Sequence, residues 1–292
     1  MRITNSDGRL TIVSGDRAVD VEAASGGAFS SDVHAAYGRW DELRRWAETL
    51  DPGRFEARAD GPVGPPSPRP SQVFAVGLNY RDHAAEGGIA LPESPMIFTK
   101  FPASVAGPFD TIMLPEGSVD FEAELVVVIG RRAYEVPERE AWSHVAGLTV
   151  GQDISERQLQ LQPPAPQQFS LAKSYPGFAP LGPVLVTPDE LDDPDDLELG
   201  CRLNGEEMQR ARTSEMIFSV PRLVAYLSSI LPLLPGDLIF TGTPSGIGWV
   251  RDPKRLLAEG DELVTYVTGI GAMHHSFRAV RRPVAAAMSD PE

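Results

Sequence analysis

Residues Asp120 to Gly130 read DFEAELVVVIG, and this segment constrains the fold more than any other. Asp120, Glu122 and Glu124 fall at every second position and run into Leu125-Val126-Val127-Val128-Ile129. Period-two spacing leading into β-branched residues predicts a strand, with the three carboxylates on one face. Like charges side by side at the mouth of an apolar run repel, and a raised carboxyl pKa or a bound cation relieves them. An all-oxygen cluster suits hard cations such as Mg²⁺, Mn²⁺ or Ca²⁺. An edge strand with one solvated polar face gives the same alternation, so both readings stay open here.

The chain of 292 residues can bury one sizeable core and a small extra domain. With 26 basic against 41 acidic residues the net charge is −15, which argues against nucleic acid or an anionic membrane surface as partner. A small anionic substrate stays compatible, because a metal and a few local cations reverse the field inside a pocket. The single cysteine, Cys201, excludes an intrachain disulfide and a cysteine-based zinc site and fits a reducing cytoplasm. No apolar stretch reaches membrane-spanning length, and the first ten residues lack a signal peptide's apolar core.

Residues 1–50 carry short alternating segments and a helical stretch around Trp40–Leu50. Residues 52–70, ending GPVGPPSPRP, read as a semi-extended linker or boundary. Strands are expected near 73–76, 97–99, 122–129, 145–151, 184–186, 198–204, 238–241, 262–268 and 274–280. The clearest helix starts at Ser219, with Pro221 in its first turn and Val220, Leu223, Val224 and Leu227 as its apolar stripe. Many alternating strands with few helices between them favour a mainly β sandwich or roll over a doubly wound α/β fold.

Further residues add chemistry. Asp153 follows the buried-type strand 145–150 and could complete a three-carboxylate site, or cap a helix ahead of Ser155. His83 and Glu86 are three apart in GLNYRDHAAEGG, so on a helical turn they share a face as a base dyad, or sit exposed and unrelated. Gly87-Gly88 would let that segment move as a lid. Lys173, in FSLAKSYPGFAPLGP, either snorkels at the surface or faces an anionic ligand. Gly242–Gly248 looks like a phosphate loop but lacks the Walker lysine; a turn offering Thr243 and backbone N–H groups to a carboxylate reads better.

Together these blocks resemble the fumarylacetoacetate hydrolase family from about Val73 to Val280. They include GLNYRDHAAE, FTKFPASVAGP, DFEAELVVVIG, GQDISERQLQ, AKSYPGFAPLGP, NGEEMQRARTSEMIFSVPRLVAYLS, PGDLIFTGTPSGIG and EGDELVTYVTGIG, in that order. The resemblance implies an α+β, mainly β fold, a mixed β-sandwich roll at 71–282 after a small N-terminal domain, which with the proline-rich linker spans 1–70; by composition the tail at 283–292 is expected to be disordered. It implies a homodimer and a divalent metal, usually Mg²⁺, on Glu122, Glu124 and Asp153, with Asp120 outside the ligand set. His83 and Glu86 match the dyad, with Lys173 beside them as a catalytic position. Arg157, Gln160 and Thr243 match positions that contact the substrate or support the residues that do. The sequence departs from the family pattern at Gln158, Tyr175 and His275, where aspartate, phenylalanine and asparagine are common.

The expected activity is Mg²⁺-dependent hydrolysis of a C–C bond in a 2,4-dioxo acid of the acylpyruvate or fumarylpyruvate type, through a metal-stabilised pyruvate enolate. The alternatives are an oxaloacetate-type decarboxylase, tautomerase or 2-oxo-diacid isomerase on the same site, and a metal-dependent binder without turnover.

Overall fold

The computed structural model describes residues 1–57, 61–88, 90–163 and 167–280; the tail expected at 283–292 lies outside them. Among the described residues the strands form a twelve-stranded sheet, a five-stranded sheet and a two-stranded ladder. The fold is the mainly β, α+β roll expected, with mixed pairing. Leu238–Phe240 runs parallel to Val73–Gly77, and Gly271–Ala279 parallel to Thr111–Leu114, while most other neighbours are antiparallel.

The Ala123–Ile129 strand lies inside the large sheet, hydrogen-bonded to Val145–Gln152 on one side and Leu238–Phe240 on the other. All seven of its residues are buried, so the solvated-edge reading is ruled out. Its apolar residues alternate between two cores, as period-two geometry requires. Leu125, Val127 and Ile129 pack with Leu223, Val224 and Leu227 of the Val220–Ser228 helix. Val126 and Val128 pack with Trp40 and Leu43 of the Trp40–Ala47 helix. Each such side chain contributes roughly 1.5–3 kcal/mol through burial. Helix Val220–Ser228 starts as expected, with the Ser219 hydroxyl accepting from the Arg222 N–H at 3.4 Å.

The N-terminal strands continue the large sheet, since Arg2–Ser6 pairs with Ala179–Val186. The proline-rich stretch is tied down: the Tyr37 hydroxyl donates to the Pro66 carbonyl, and Ser67 donates to the Gly236 carbonyl. Strands Glu206–Arg212 and Thr111–Leu114, absent from the expected set, complete the five-stranded sheet. A third apolar cluster, including Phe121, Ala123, Cys201 and Met208, joins that sheet to the start of the Ala123–Ile129 strand.

Candidate active site

The single strand expected for Asp120, Glu122 and Glu124 is in fact broken. Val119–Asp120 pairs with Ser155–Glu156 in a separate ladder, and the long strand begins only at Ala123. Side chains take the backbone donors in between. The Phe121 N–H goes to Asp120 Oδ1, the Glu122 N–H to Gln152 Oε1, and the Ala123 N–H to Gln209 Oε1. Three N–H groups spent this way cannot continue a strand ladder. The break turns the carboxylates to different tasks. Asp120 receives Arg157 and the N–H groups of Gly248 and Trp249. Glu122 and Glu124 turn toward Asp153.

Glu122, Glu124 and Asp153 each offer an oxygen within 4.8 Å of the others, and all three are buried. Asp153 follows the Val145–Gln152 strand, where its N–H donates to the Glu122 carbonyl at 2.9 Å; it caps no helix. Lys173, directly after the short Phe169–Ala172 helix, is buried rather than snorkelling. Its Nζ donates to Glu122 Oε2 at 2.7 Å and to Asp153 Oδ2 at 2.6 Å. A second buried lysine, Lys100, donates to Asp153 Oδ1 and to the Lys173 carbonyl.

Two lysines face three carboxylates here, because Arg157 is already matched by Asp120. Burial raises the Glu122 carboxyl, but Lys173 and then Arg157 outweigh it and hold it down to about 2. Glu124 has no such partner. Burial first, then the charges of Asp153 and Glu122, push it well above the usual carboxylate range, against one N–H from Gly242 at 2.7 Å. Burial lowers Lys100, while Asp153 and Glu122 keep Lys173 raised despite burial. The cluster is therefore short of one positive charge and rich in hard oxygen donors. A divalent hard cation held by Glu122, Glu124 and Asp153 fits it.

The sign of the pH effect follows. A raised carboxyl such as Glu124 stabilises the metal-free fold below its unfolded value, and that contribution is lost as pH rises through its folded value. Glu122 does the reverse: its contribution is present above the usual 4.5 and is lost as pH falls toward about 2. A cation must displace the Glu124 proton, so Mg²⁺ affinity is expected to weaken as pH falls, with proton release on binding. Calorimetry in buffers of different ionisation enthalpy checks this; affinity independent of pH, without proton release, contradicts it.

His83 lies on the short helix Arg81–Glu86, with Nδ1 3.3 Å from Glu86 Oε2. Glu86 also accepts from the Gly246 N–H at 3.1 and 3.2 Å. The loop Gly242–Gly248 thus reaches three acids through its backbone: Gly242 to Glu124, Gly246 to Glu86, and Gly248 to Asp120 at 2.8 Å. The N–H groups of this turn meet carboxylates as expected, and the carboxylates are the chain's own, but the Thr243 hydroxyl donates to the Ala123 carbonyl and not to an acid. Gly242 has φ +100°, and a Cβ there would lie 2.7 Å from the Asn79 Cβ and 3.0 Å from the Val76 carbonyl. Gly242→Ala is therefore expected to cost about 1–3 kcal/mol. Chemical denaturation measures it, and wild-type stability would refute the argument.

A cavity of about 270 Å³ is lined by His83, Glu122, Arg157, Gln160, Lys173 and Thr243, together with apolar residues. Six of the nine expected site residues thus line one space, Glu124 and Asp153 adjoin it through their cluster with Glu122, and Glu86 stands behind His83. Two are already engaged. The Arg157 guanidinium is shared among Asp120, Glu122 and Gln160. The Thr243 hydroxyl donates to the Ala123 carbonyl at 3.0 Å and accepts from Gln209 Nε2 at 2.8 Å. Of the departures, Gln158 bonds Ser118, Tyr175 packs on Phe178, and His275 is buried against the Gly107 carbonyl.

Sequence reading missed Lys100 and Gln209. Lys100 could have been found by the rule that singled out Lys173, a lone cation in an apolar block. Gln209 carried no signal, because it reaches the site from the other sheet.

Residues 72–278 match the family described as fumarylacetoacetate (FAA) hydrolase C-terminal. The chain belongs to the fumarylacetoacetate hydrolase family. It is 43% identical over 210 residues to the mitochondrial oxaloacetate tautomerase FAHD2A of Bos taurus, covering 71% of this chain and 67% of the relative. A crystal structure from Mycobacterium smegmatis, provisionally named HpcE, is 56% identical with a TM-score of 0.91, covering 96% of this chain and all, 100%, of that one. Maleylpyruvate hydrolase from Sphingobium sp. SYK-6, solved with manganese(II) and pyruvate, is 26% identical with a TM-score of 0.81, covering 96% and 100%. Members of the family are enzymes, and this chain is read as one. No helix among the described residues is long and apolar enough to cross a membrane.

Proposed function

We propose that this fumarylacetoacetate hydrolase family member is a Mg²⁺-dependent tautomerase that moves a proton at the carbon beside the keto group of a 2-oxo acid. One observation carries the reading: an imidazole backed by a carboxylate shares a cavity with Lys173 and with Glu122, one member of the buried three-carboxylate cluster. The similarity to an oxaloacetate tautomerase supports it. This moves the emphasis from the hydrolysis expected from sequence to one of its alternatives.

Converting an enol to its ketone removes the O–H proton and adds one at the neighbouring carbon, so the composition is unchanged. His83 carries the proton, and Glu86 orients the ring and stabilises its charged form. Lys173 offers a buried cation to the oxygen where negative charge develops. A bound divalent ion would supply Lewis-acid stabilisation of the same charge. The Glu122, Glu124 and Asp153 carboxylates would hold it. A cytoplasmic setting is proposed on Cys201, whose thiol is free and buried.

The second reading is C–C hydrolysis of a 2,4-dioxo acid, with the dyad activating water. The likeness to maleylpyruvate hydrolase favours it. Metal-loaded protein is expected to accelerate the loss of enol absorbance from fresh enol-oxaloacetate, and chelation should abolish the effect. Pyruvate release from acylpyruvates, measured in parallel, would favour the second reading. No acceleration of either reaction would sink both.

A further inference from the structure

The lining of the 270 Å³ cavity is of two chemical kinds. One part is polar, with Glu122, Lys173, Thr243 and His83, which the proposed function uses. The remaining wall is largely apolar, formed by Leu78, Met96, Phe98, Leu161, Phe169 and Ile247. Phe98 and Phe169 pack with ring centroids 5.7 Å apart, and Lys173 Nζ lies 5.1 Å from the Phe98 centroid, so the aromatic wall begins where the cation ends.

Among the described residues lining the cavity, the cations are Arg157 and Lys173, and both are buried in ion pairs with carboxylates of the cluster and Asp120. Two amides join that wall, Gln160, which bonds Arg157, and Gln167, and among the described residues it carries no cation. A carboxylate pressed against that wall would lose its hydration without a counter-charge, at a large cost. The chain's net charge of −15 adds no help at longer range.

We propose that the apolar part of this cavity is a subsite for an uncharged, apolar tail on the 2-oxo acid, with Phe98, Leu161 and Phe169 as specificity-determining residues. The inference rests on the proposed function for the identity of the head. It goes beyond that reading by selecting monoacids with alkyl or aryl tails over extended diacids. Oxaloacetate is compatible, because its second carboxylate sits one bond from the reacting carbon, within the head.

Calorimetric titration of the Mg²⁺-loaded protein tests this without turnover. The probes are pyruvate, 2-oxobutanoate, 2-oxopentanoate, 2-oxohexanoate and 2-oxoadipate. Affinity is expected to rise about threefold to fourfold per added methylene. The diacid 2-oxoadipate is expected to bind about tenfold or more weakly than 2-oxohexanoate, which has the same chain length. Leu161→Arg, at the half-exposed rim of the cavity, should reverse that order by supplying the missing cation. Failure of pyruvate itself to bind would overturn the 2-oxo acid reading of the head. A series that is flat with chain length, or tighter binding of 2-oxoadipate by the unmodified protein, would overturn the tail subsite while leaving the head intact.

Discussion

His83→Ala is expected to lower turnover by roughly 10²–10⁴-fold, the usual contribution of a positioned general base. Both readings of the reaction need a proton carrier in the cavity, and His83 is the imidazole that lines it. The side chain is not one of the three clustered carboxylates and makes no contact that the fold depends on, so metal affinity and stability should stay near wild type. Glu86→Gln should act in the same direction but more mildly, because Glu86 supports the ring and accepts from the Gly246 N–H instead of taking the proton. Steady-state kinetics on enol-oxaloacetate and on an acylpyruvate, with Mg²⁺ titration of each variant, measure all of this. Wild-type turnover by His83→Ala on every substrate the protein accepts would remove the dyad from the mechanism.

The second large effect separates two neighbouring glutamates. Glu122→Gln breaks contacts to Lys173 and Arg157, leaving buried cations short of a partner. Removing one member of a buried ion pair typically costs about 3–5 kcal/mol. Glu124→Gln removes a charge that its surroundings already disfavour, so the metal-free fold should be unharmed or more stable. Both substitutions should weaken Mg²⁺ binding by about tenfold or more, roughly 1.4 kcal/mol. Destabilisation by Glu122→Gln but not by Glu124→Gln, with a shared loss of metal, is the expected pattern, read by denaturation without metal and by calorimetry with it. Equal destabilisation by the two variants would contradict the charge balance described above.

The family resemblance was legible because eight blocks keep their order and residue types. The alternation of Leu125 to Ile129 pointed correctly to a strand. What it could not reveal was that both faces are covered, one by the Val220–Ser228 helix and the other by Trp40 and Leu43. Burial on both faces depends on elements about a hundred residues away in either direction, and local spacing carries no record of them. The opening alternation of acids misled for a similar reason. Gln152 and Gln209 capture backbone donors that would otherwise extend the ladder, and neither is a sequence neighbour of Glu122.

By itself, then, the sequence determined residue types and local periods: a β-rich chain, a cluster of hard oxygen donors, and an imidazole three residues from a carboxylate. Tertiary structure alone decided the charge balance. Lys100 and Lys173 enter from different segments to meet Asp153, Lys173 also pairs with Glu122, and Glu124 is left without a cation. It also decided what the Gly242–Gly248 loop binds, since its N–H groups find acids more than a hundred residues distant. The physical reason is that strand and helix signals are short-range and repeat along the chain. Electrostatic pairing and desolvation depend on which segments the fold packs together.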